Sequence, residues 1–283
     1  VWARRGHPAS AMGLRSGSPH EVRIAFADGT LVGTVDRSRA PEVVHPGAVY
    51  LHQGRAHRVV ELDLHDGAAI VEPDPGHTYT QARSTVELRV LRTESARSVG
   101  VIEVGLAEVE VTSQVTGYQQ REVLTGDLVG SHELLLPPST LVTRGVWWRI
   151  PPALLDRAMV EPHQVGGALH AAEHAAIGML PLFAICDRWD VGGVSTPWLH
   201  DLGAPAIVIY DGHPGGAGIA DLAYEATEAQ LAATLETLEQ CECDTGCPSC
   251  VQSPKCGSLN EPLDKHAAAR LLRAIRWDPP PAS

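Results

Sequence analysis

Hydrophobic and polar residues alternate from the twenty-second residue onward. Val22, Ile24 and Phe26 form one alternating run, an Asp-Gly pair follows, and a second run extends from Leu31 to Val35. A period of two places every second side chain on the same face of a strand, and an Asp-Gly turn joins antiparallel neighbours. The pattern therefore predicts a β-hairpin.

The same alternation recurs between further turns before residue 97. The additional predicted strands are Ala48 to His52, His57 to Leu64, Ala68 to Val71 and Ser84 to Leu91. About six short strands within roughly 75 residues favour a small β-barrel, because closing the sheet removes its exposed edges. We therefore predict a β-barrel-like domain at 20–97, preceded by a linker rich in Gly, Ser, Pro and Arg at 1–19.

The hydrophobic period changes from two to about 3.6 residues after residue 151. Alternation continues through 98–150, and helical patterns follow at Ala168 to Leu182, Gly216 to Gln240 and Leu263 to Trp277, with a buried strand at Ala206 to Tyr210. Strands that come first and helices that come last indicate an α+β fold rather than a wound parallel sheet. The second predicted domain is 98–283, β-rich at 98–150 and helix-rich at 151–283.

Composition and charge narrow the choice of protein class. The chain has 44% hydrophobic and 20% charged residues, and no apolar run of membrane-spanning length. The first 100 residues hold 12 Arg and 11 acidic residues, whereas the remainder holds 10 basic and 23 acidic residues. Phosphate binding needs clustered positive charge, so a nucleic acid is expected nearer the first part. The start of the chain, without Met or an apolar stretch, favours a cytoplasmic protein and a piece of a longer chain.

Five of the six cysteines lie within sixteen residues, from Cys241 to Cys256. Cytosolic thiols stay reduced, so a cluster of this kind indicates a metal site rather than a disulfide framework. Cys247 and Cys250 have the C-x2-C spacing of a zinc knuckle, and four thiolates complete a structural zinc site. We therefore predict an α/β zinc-binding domain with a cysteine knuckle at 241–256.

Five sulfurs compete for four positions around this Zn2+. Even spacing favours Cys243, Cys247, Cys250 and Cys256, and Cys241 in place of Cys243 or Cys256 is the alternative. An iron-sulfur cluster and a redox pair of Cys247 with Cys250 are further alternatives, although the common iron-sulfur spacings are absent. A four-cysteine zinc site leaves no open coordination position, so we expect no catalytic residue in it.

His170, Glu173 and His174 form an H-x-x-E-H motif on a predicted helix. The two histidines can hold one zinc ion and Glu173 can act as a general base, which makes a zinc-dependent hydrolase the alternative function. Such a site needs a third protein ligand, and the downstream candidates Glu239 and Glu242 abut the cysteines. Because alanines surround the motif, we favour buried, hydrogen-bonded side chains on a core helix.

A glycine-rich loop at Tyr210 to Gly218 follows the buried strand and precedes a helix. This position can bind an anion, but the loop has neither the Walker A nor the dinucleotide-binding pattern. We expect its glycines to serve a tight turn and close helix packing.

Several longer stretches resemble a known family. They are Gly167 to Ala175, Cys186 to Gly193, Ile209 to Gly218 and Gly246 to Lys265, together with Gly33 to Asp36 and Val44 to Gly54 in the first part. On these residues the chain resembles the C-terminal region of superfamily two DEAD/DEAH-box DNA helicases of the mitomycin-repair factor A kind. The resemblance spans nearly the whole chain but only that region of the family, whose two motor domains would lie upstream.

The resemblance implies an accessory module of an ATP-dependent 3′ to 5′ DNA helicase in DNA repair. ATP and Mg2+ would bind only in the motor domains, and the partners would be single-stranded or forked DNA and those motor domains in cis, with no membrane. Four of the five clustered cysteines would be its zinc ligands, and the setting would be a bacterial cytoplasm or nucleoid. With the charge distribution, this places Arg15, Arg23, Arg37 and Arg39 nearest the phosphates.

Overall fold

A computed structural model describes residues 21–275, so the predicted linker at 1–19 lies outside the described residues. The chain divides into two compact units. Among the described residues, the first comprises 21–85 together with Ser113–Ser139, and the second comprises Val86–Thr112 together with 140–275. Each unit is therefore built from two separate stretches of the chain. The linear division between residues 97 and 98 stays a prediction.

The first unit contains a five-stranded, barrel-like sheet in the order β2-β1-β5-β4-β3. Its strands are β1 (Glu21–Phe26), β2 (Leu31–Asp36), β3 (Val49–His52), β4 (Arg55–Asp63) and β5 (Ala68–Pro73), and a short helix, α1, covers Ala40–Val43. β1 and β2 pair antiparallel across a turn in which Asp28 accepts a hydrogen bond from the Thr30 N–H, so the predicted hairpin is confirmed. β1 also pairs parallel with β5. The inward positions, among them Val22, Ile24 and Val59, form its core.

Two long strands run through both units. β6 (Thr78–Val99) and β7 (Ile102–Glu122) join β8 (Leu128–Glu133), β9 (Ser139–Arg149), β10 (Val191–Leu199) and β11 (Ala204–Asp211) in a second sheet. Its order is β10-β11-β9-β7-β6, with β8 paired to β7. The hydrophobic pattern predicts only the middle of β6, since much of that strand is exposed, and it does not predict β10, which two glycines and a proline interrupt.

The second unit contains five α-helices among the described residues, and α3 is the most buried of them. They are α2 (Pro152–Arg157), α3 (Val165–Met179), α4 (Ile219–Glu225), α5 (Thr227–Gln240) and α6 (Lys265–Ala274). α3 is buried at most positions from Gly167 to Ile177 and contacts α5, α6, β10 and β11. The predicted α+β class is confirmed. None of the helices within residues 21–275 combines the length and hydrophobicity of a bilayer-crossing segment.

Candidate metal centre

Four cysteine sulfurs converge directly after α5. The Sγ atoms of Cys241 and Cys243, of Cys241 and Cys247, and of Cys243 and Cys250 are each 3.5 Å apart. Those of Cys247 and Cys250 are 3.8 Å apart. Zinc-sulfur bonds of about 2.3 Å in a tetrahedron require sulfurs about 3.8 Å from one another. The four free thiols therefore fit a single tetrahedral zinc ion.

A tight turn holds two of these sulfurs together. The backbone N–H of Cys250 donates to the Cys247 carbonyl at 3.0 Å, and the backbone N–H of Cys247 donates to the Cys250 sulfur at 3.3 Å. Gly246 enters the turn at a φ of 116°, and a Cβ there would lie 2.4 Å from the Val251 side chain. Glycine is therefore required at this position, which agrees with the predicted knuckle.

The ammonium group of Lys265 lies against the cluster from the first turn of α6. Its Nζ donates to the carbonyl oxygens of Cys241 and Cys243 at 2.5 and 2.6 Å and lies 3.4 Å from the Cys243 sulfur. Burial lowers the pKa of Lys265, but the hydrogen bond to the Cys243 sulfur and the charges of Cys243, Cys241 and Cys250 together outweigh burial, and the net shift is upward. A positive charge thus stands beside a site that four thiolates would leave net negative around zinc.

The thiols of the cluster differ in acidity. The backbone N–H of Ser249, followed by the Cys241 thiol, lowers the pKa of Cys247 to about 7. Burial raises the pKa of Cys250 to about 12. Cys247 is therefore the sulfur of this pair that ionises near neutral pH, where a thiolate ligand is needed.

Cys256 does not lie with the other four cysteines. Even spacing favours it over Cys241, but Cys241 occupies the fourth corner of the cluster, while Cys256 Sγ is 3.4 Å from His170 Nε2. The cause is the tertiary packing. Cys241, at the end of α5, lies beside the knuckle, whereas the segment after Cys250 packs against α3. The geometry favours the ligand set that includes Cys241, and ligation itself stays a prediction.

In the H-x-x-E-H motif on α3, Glu173 and His174 are buried and His170 is half-buried. His174 Nδ1 is 2.7 Å from the Val251 carbonyl oxygen, and His170 Nδ1 is 2.8 Å from the Pro262 carbonyl oxygen. The two imidazole rings meet edge to face, with centroids 4.2 Å apart. Both histidines are thus hydrogen-bonded side chains on a core helix, as the surrounding alanines predict.

The sequence offers no convincing third ligand for these histidines, and the structure brings Cys256 to them instead. The carboxylate of Glu239, one of the two candidates, pairs with Arg273 at 2.5 Å. The sequence does contain a signal for Cys256. There are five clustered cysteines for four zinc positions, and the two histidines of the motif lack a third ligand. Only the fold connects them.

Cys256 and the Glu173 of the motif have pKa values that shift in opposite directions. Burial acts against the Cys256 thiolate, but the hydrogen bonds from His170, His174, Ser258 and Asn260 together outweigh it and lower the pKa of Cys256 to about 5. Burial raises the pKa of Glu173, whose side chain is only 5% exposed. Gly193 on β10 leaves room for this carboxyl group, since a Cβ there would lie 2.3 Å from its Oε1 atom.

The glycine-rich loop before α4 is closed by a side chain of the protein itself. The buried Asp211 carboxylate accepts hydrogen bonds from the backbone N–H groups of Ala217, Ile219 (3.2 Å) and Ala220 (2.7 Å). These are the groups that an anion would use at the start of a helix. The loop is therefore a capped turn, as its glycines predict.

Known proteins match both the cluster and the fold. A protein-family profile described as the MrfA Zn-binding domain matches residues 172–251, a range that includes the four clustered cysteines. The uncharacterized ATP-dependent helicase YprA of Bacillus subtilis is 30% identical over 255 residues, which cover 88% of this chain and 34% of YprA. The uncharacterized protein MJ1572.1 of Methanocaldococcus jannaschii is 41% identical over 110 residues, covering 38% of this chain and 98% of that protein.

A solved structure agrees with these relatives. The crystal structure of the helicase MrfA bound to DNA is similar with a TM-score of 0.62 at 27% identity. The similarity covers 97% of this chain and 36% of MrfA. Residues 172–251 thus carry the MrfA Zn-binding domain, and nearly the whole chain is similar to a portion of the MrfA-like helicases.

Within the MrfA-like helicases, the chain corresponds to the C-terminal portion with its zinc-binding domain, which confirms the family expected from the sequence. It spans about a third of the length of YprA and of MrfA. The matched zinc-binding range ends before Cys256 and begins after His170, so the His170, His174 and Cys256 group extends beyond it.

Proposed function

We propose that this chain is an accessory module, stabilised by a structural zinc ion, of an ATP-dependent DNA helicase that acts in DNA repair. The observation that carries the proposal is the similarity of nearly the whole chain to MrfA in its DNA-bound structure, of which the chain matches about a third. The rest of such a protein would supply the motor. Unwinding in the 3′ to 5′ direction, and a place in the bacterial cytoplasm or nucleoid, complete the proposal and rest on the resemblance of the sequence.

In this proposal Cys241, Cys243, Cys247 and Cys250 hold one zinc ion. The ion cross-links the end of α5 to the knuckle, and its four protein ligands leave no open position for chemistry. ATP and Mg2+ would bind in the motor domains, because the chain has no G-x4-G-K-[ST] sequence to hold the phosphates. The module therefore contributes to unwinding by docking on the motor domains or by guiding the DNA strand, and it does not hydrolyse ATP.

The arginines of the first unit are the proposed phosphate contacts. The side chains of Arg23 and Arg39 are exposed and that of Arg37 is half-buried, on β1 and just after β2. Arg15, the fourth residue expected near DNA, lies outside the described residues. Acidic residues are in excess beyond residue 100 and would repel phosphates, which supports placing the DNA near these arginines of the first unit.

Binding of a fluorescent single-stranded oligonucleotide, measured by anisotropy over a series of salt concentrations, tests this placement. We expect Arg23→Glu with Arg37→Glu to reduce the salt slope by about one for each phosphate that the variant no longer binds. Arg273→Glu, which reverses an exposed arginine in the acidic part, is the matched control and should leave the slope unchanged. An unchanged slope in the double variant would remove these arginines from the interface.

Unwinding tests the helicase assignment itself. In the full-length protein, we expect strand separation of DNA with a 3′ tail and not of DNA with only a 5′ tail. Cys250→Ser should reduce unwinding more than it reduces ATP hydrolysis, because the motor stays intact while its accessory module unfolds. Equal loss of both activities would contradict an accessory role.

One observation keeps a zinc-dependent hydrolase as the second candidate. His170 and His174 have a third potential ligand in Cys256, which the sequence pattern alone does not provide. Peptidase or amidase turnover that is lost with Glu173→Gln would establish this activity. Absence of turnover in protein with verified metal content would eliminate it.

A further inference from the structure

Three potential metal ligands converge at α3, apart from the four-cysteine cluster. The ligand atoms of His170, His174 and Cys256 all lie within 4.8 Å of one another. His170 Nε2 is 3.4 Å from Cys256 Sγ, and the two imidazole rings are in edge-to-face contact. This spacing is compatible with three ligands around one ion, since zinc-nitrogen bonds are about 2.0–2.1 Å and zinc-sulfur bonds about 2.3 Å.

Hydrogen bonds fix both imidazoles in the orientation that a metal needs. A carbonyl oxygen only accepts, so the Nδ1 atoms of His170 and His174 each carry a proton toward the carbonyls of Pro262 and Val251. In the neutral ring the lone pair then lies on Nε2. A backbone carbonyl that holds the distal nitrogen of a histidine is the usual outer partner of a metal-binding imidazole.

Without an ion, this group needs a proton between an imidazole Nε2 atom and the Cys256 sulfur, which are 3.4 Å apart at His170. Metal binding displaces protons from its ligands, so a cation can take the place of that proton. His174 is among the buried polar residues, which shields this point from bulk water. A cation here contacts both nitrogens and the sulfur together.

The third ligand is held in place by its own loop. Cys256 Sγ accepts from the backbone N–H of Asn260 at 3.3 Å and lies 3.2 Å from Ser258 Oγ. Asn260 is in turn fixed by two hydrogen bonds to Ser253, at 2.7 and 3.0 Å. N–H and O–H donors around a cysteine sulfur stabilise the thiolate form that binds metal.

We propose that His170 Nε2, His174 Nε2 and Cys256 Sγ bind a second zinc ion, separate from the four-cysteine site. Two imidazoles and one thiolate suit zinc, and the fourth position stays open to water or to an exogenous ligand. The ion ties the loop at 253–262 to α3, as the hydrogen bond between His170 and the Pro262 carbonyl already does. This proposal goes beyond the helicase function and stands or fails independently of it.

Zinc content per chain, measured by mass spectrometry on the purified 283-residue chain, tests the second site. We expect two zinc ions in the wild type, and one in His174→Ala, in Cys256→Ser and in Cys250→Ser. The matched controls are His163→Ala, an exposed histidine near the start of α3, and Cys186→Ser, a cysteine outside both groups. Both controls should keep two ions.

Zinc X-ray absorption of the wild type tests the site without any variant, in case a substitution prevents folding. We expect imidazole scattering together with sulfur scattering, because the two sites hold five sulfurs and two nitrogens between them. One zinc ion per chain with sulfur ligands only would overturn the proposal. Two ions that His174→Ala leaves in place would overturn it as well.

Discussion

The Lys265 ammonium group lies 3.4 Å from the Cys243 sulfur while it donates to two carbonyl groups of the same cysteine loop. Lys265, the first residue of α6, therefore hydrogen-bonds with the Cys241 and Cys243 part of the four-cysteine cluster and not with the knuckle. Its partner groups are the Cys243 sulfur and the carbonyl oxygens of Cys241 and Cys243. Lys265 is thereby placed to stabilise the charge of the site and the path of the loop together.

Replacing Lys265 should weaken zinc binding. In Lys265→Met the carbonyls of Cys241 and Cys243 lose a shared donor and the site loses its adjacent positive charge, so we expect zinc affinity to fall about tenfold or more. Competition with a metal-sensitive chromophoric chelator measures the affinity. Lys255→Met removes the only other lysine, which donates to the Arg188 carbonyl, and should leave the affinity near the wild-type value. Equal losses in both variants would contradict a specific role for Lys265.

Chelation should expose the two lysines to a lysine-specific protease. Lys255 and Lys265 are the only lysines of the sequence; Lys255 lies in the cysteine-rich segment and Lys265 is the first residue of α6, so cleavage reports on this part of the chain. We expect rapid cleavage at both positions once zinc is removed, because a short knuckle cannot bury a core without its ion. Mass spectrometry of the fragments locates the cuts, and added zinc should restore protection. Unchanged resistance after verified metal removal would contradict the prediction.

A methyl group at Gly193 should displace the Glu173 carboxyl group from its cavity. The added Cβ would lie 2.3 Å from Oε1, so we expect Gly193→Ala to lower the free energy of unfolding by about 1–3 kcal/mol. Urea denaturation measures the change. Gly166→Ala, on α3 with open space around the added carbon, is the matched control and should be neutral or slightly stabilising. Comparable losses in the two variants would show that the Glu173 contact is not the cause.

The first unit should lose stability in mild acid through His45. Burial lowers the pKa of His45 below its ordinary value of 6.5, although the hydrogen bond to the Pro46 carbonyl opposes this shift. The unfolded chain therefore binds the proton more readily than the folded chain does. The stability that neutral His45 contributes is present above pH 6.5 and is lost as the pH falls from there through the lowered folded-state pKa.

Substitution of His45 by phenylalanine should flatten this pH dependence. His45→Phe keeps a ring against Tyr118, whose centroid is 4.6 Å away, and removes the titrating group. Urea denaturation of the wild type and the variant across mildly acid and neutral pH measures the slope of the unfolding free energy. Identical slopes in the two proteins would assign the acid sensitivity to another group.

The local features of the fold follow from local sequence. Alternation around an Asp-Gly turn is enough to specify the first hairpin, since strand period and turn chemistry act within about ten residues. The alanine-rich pattern likewise places α3, and Asp264 caps α6 by accepting from the Ala267 N–H. β10 is different: its glycines and proline give no strand signal, and pairing with β11 holds it in the sheet.

Composition, spacing and neighbouring residues are enough to predict an α+β fold whose first part is β-rich, a cysteine-rich segment suited to a metal, and a family resemblance. Which sulfurs meet depends on tertiary packing. Cys241 and Cys256 are both close to the knuckle in sequence, and only the packing of α5 and of the loop at 253–262 separates them. His170 meets Cys256, which lies 86 positions further along the chain, for the same reason. Distances of this kind are set by how helices pack on a shared core, which no local pattern encodes.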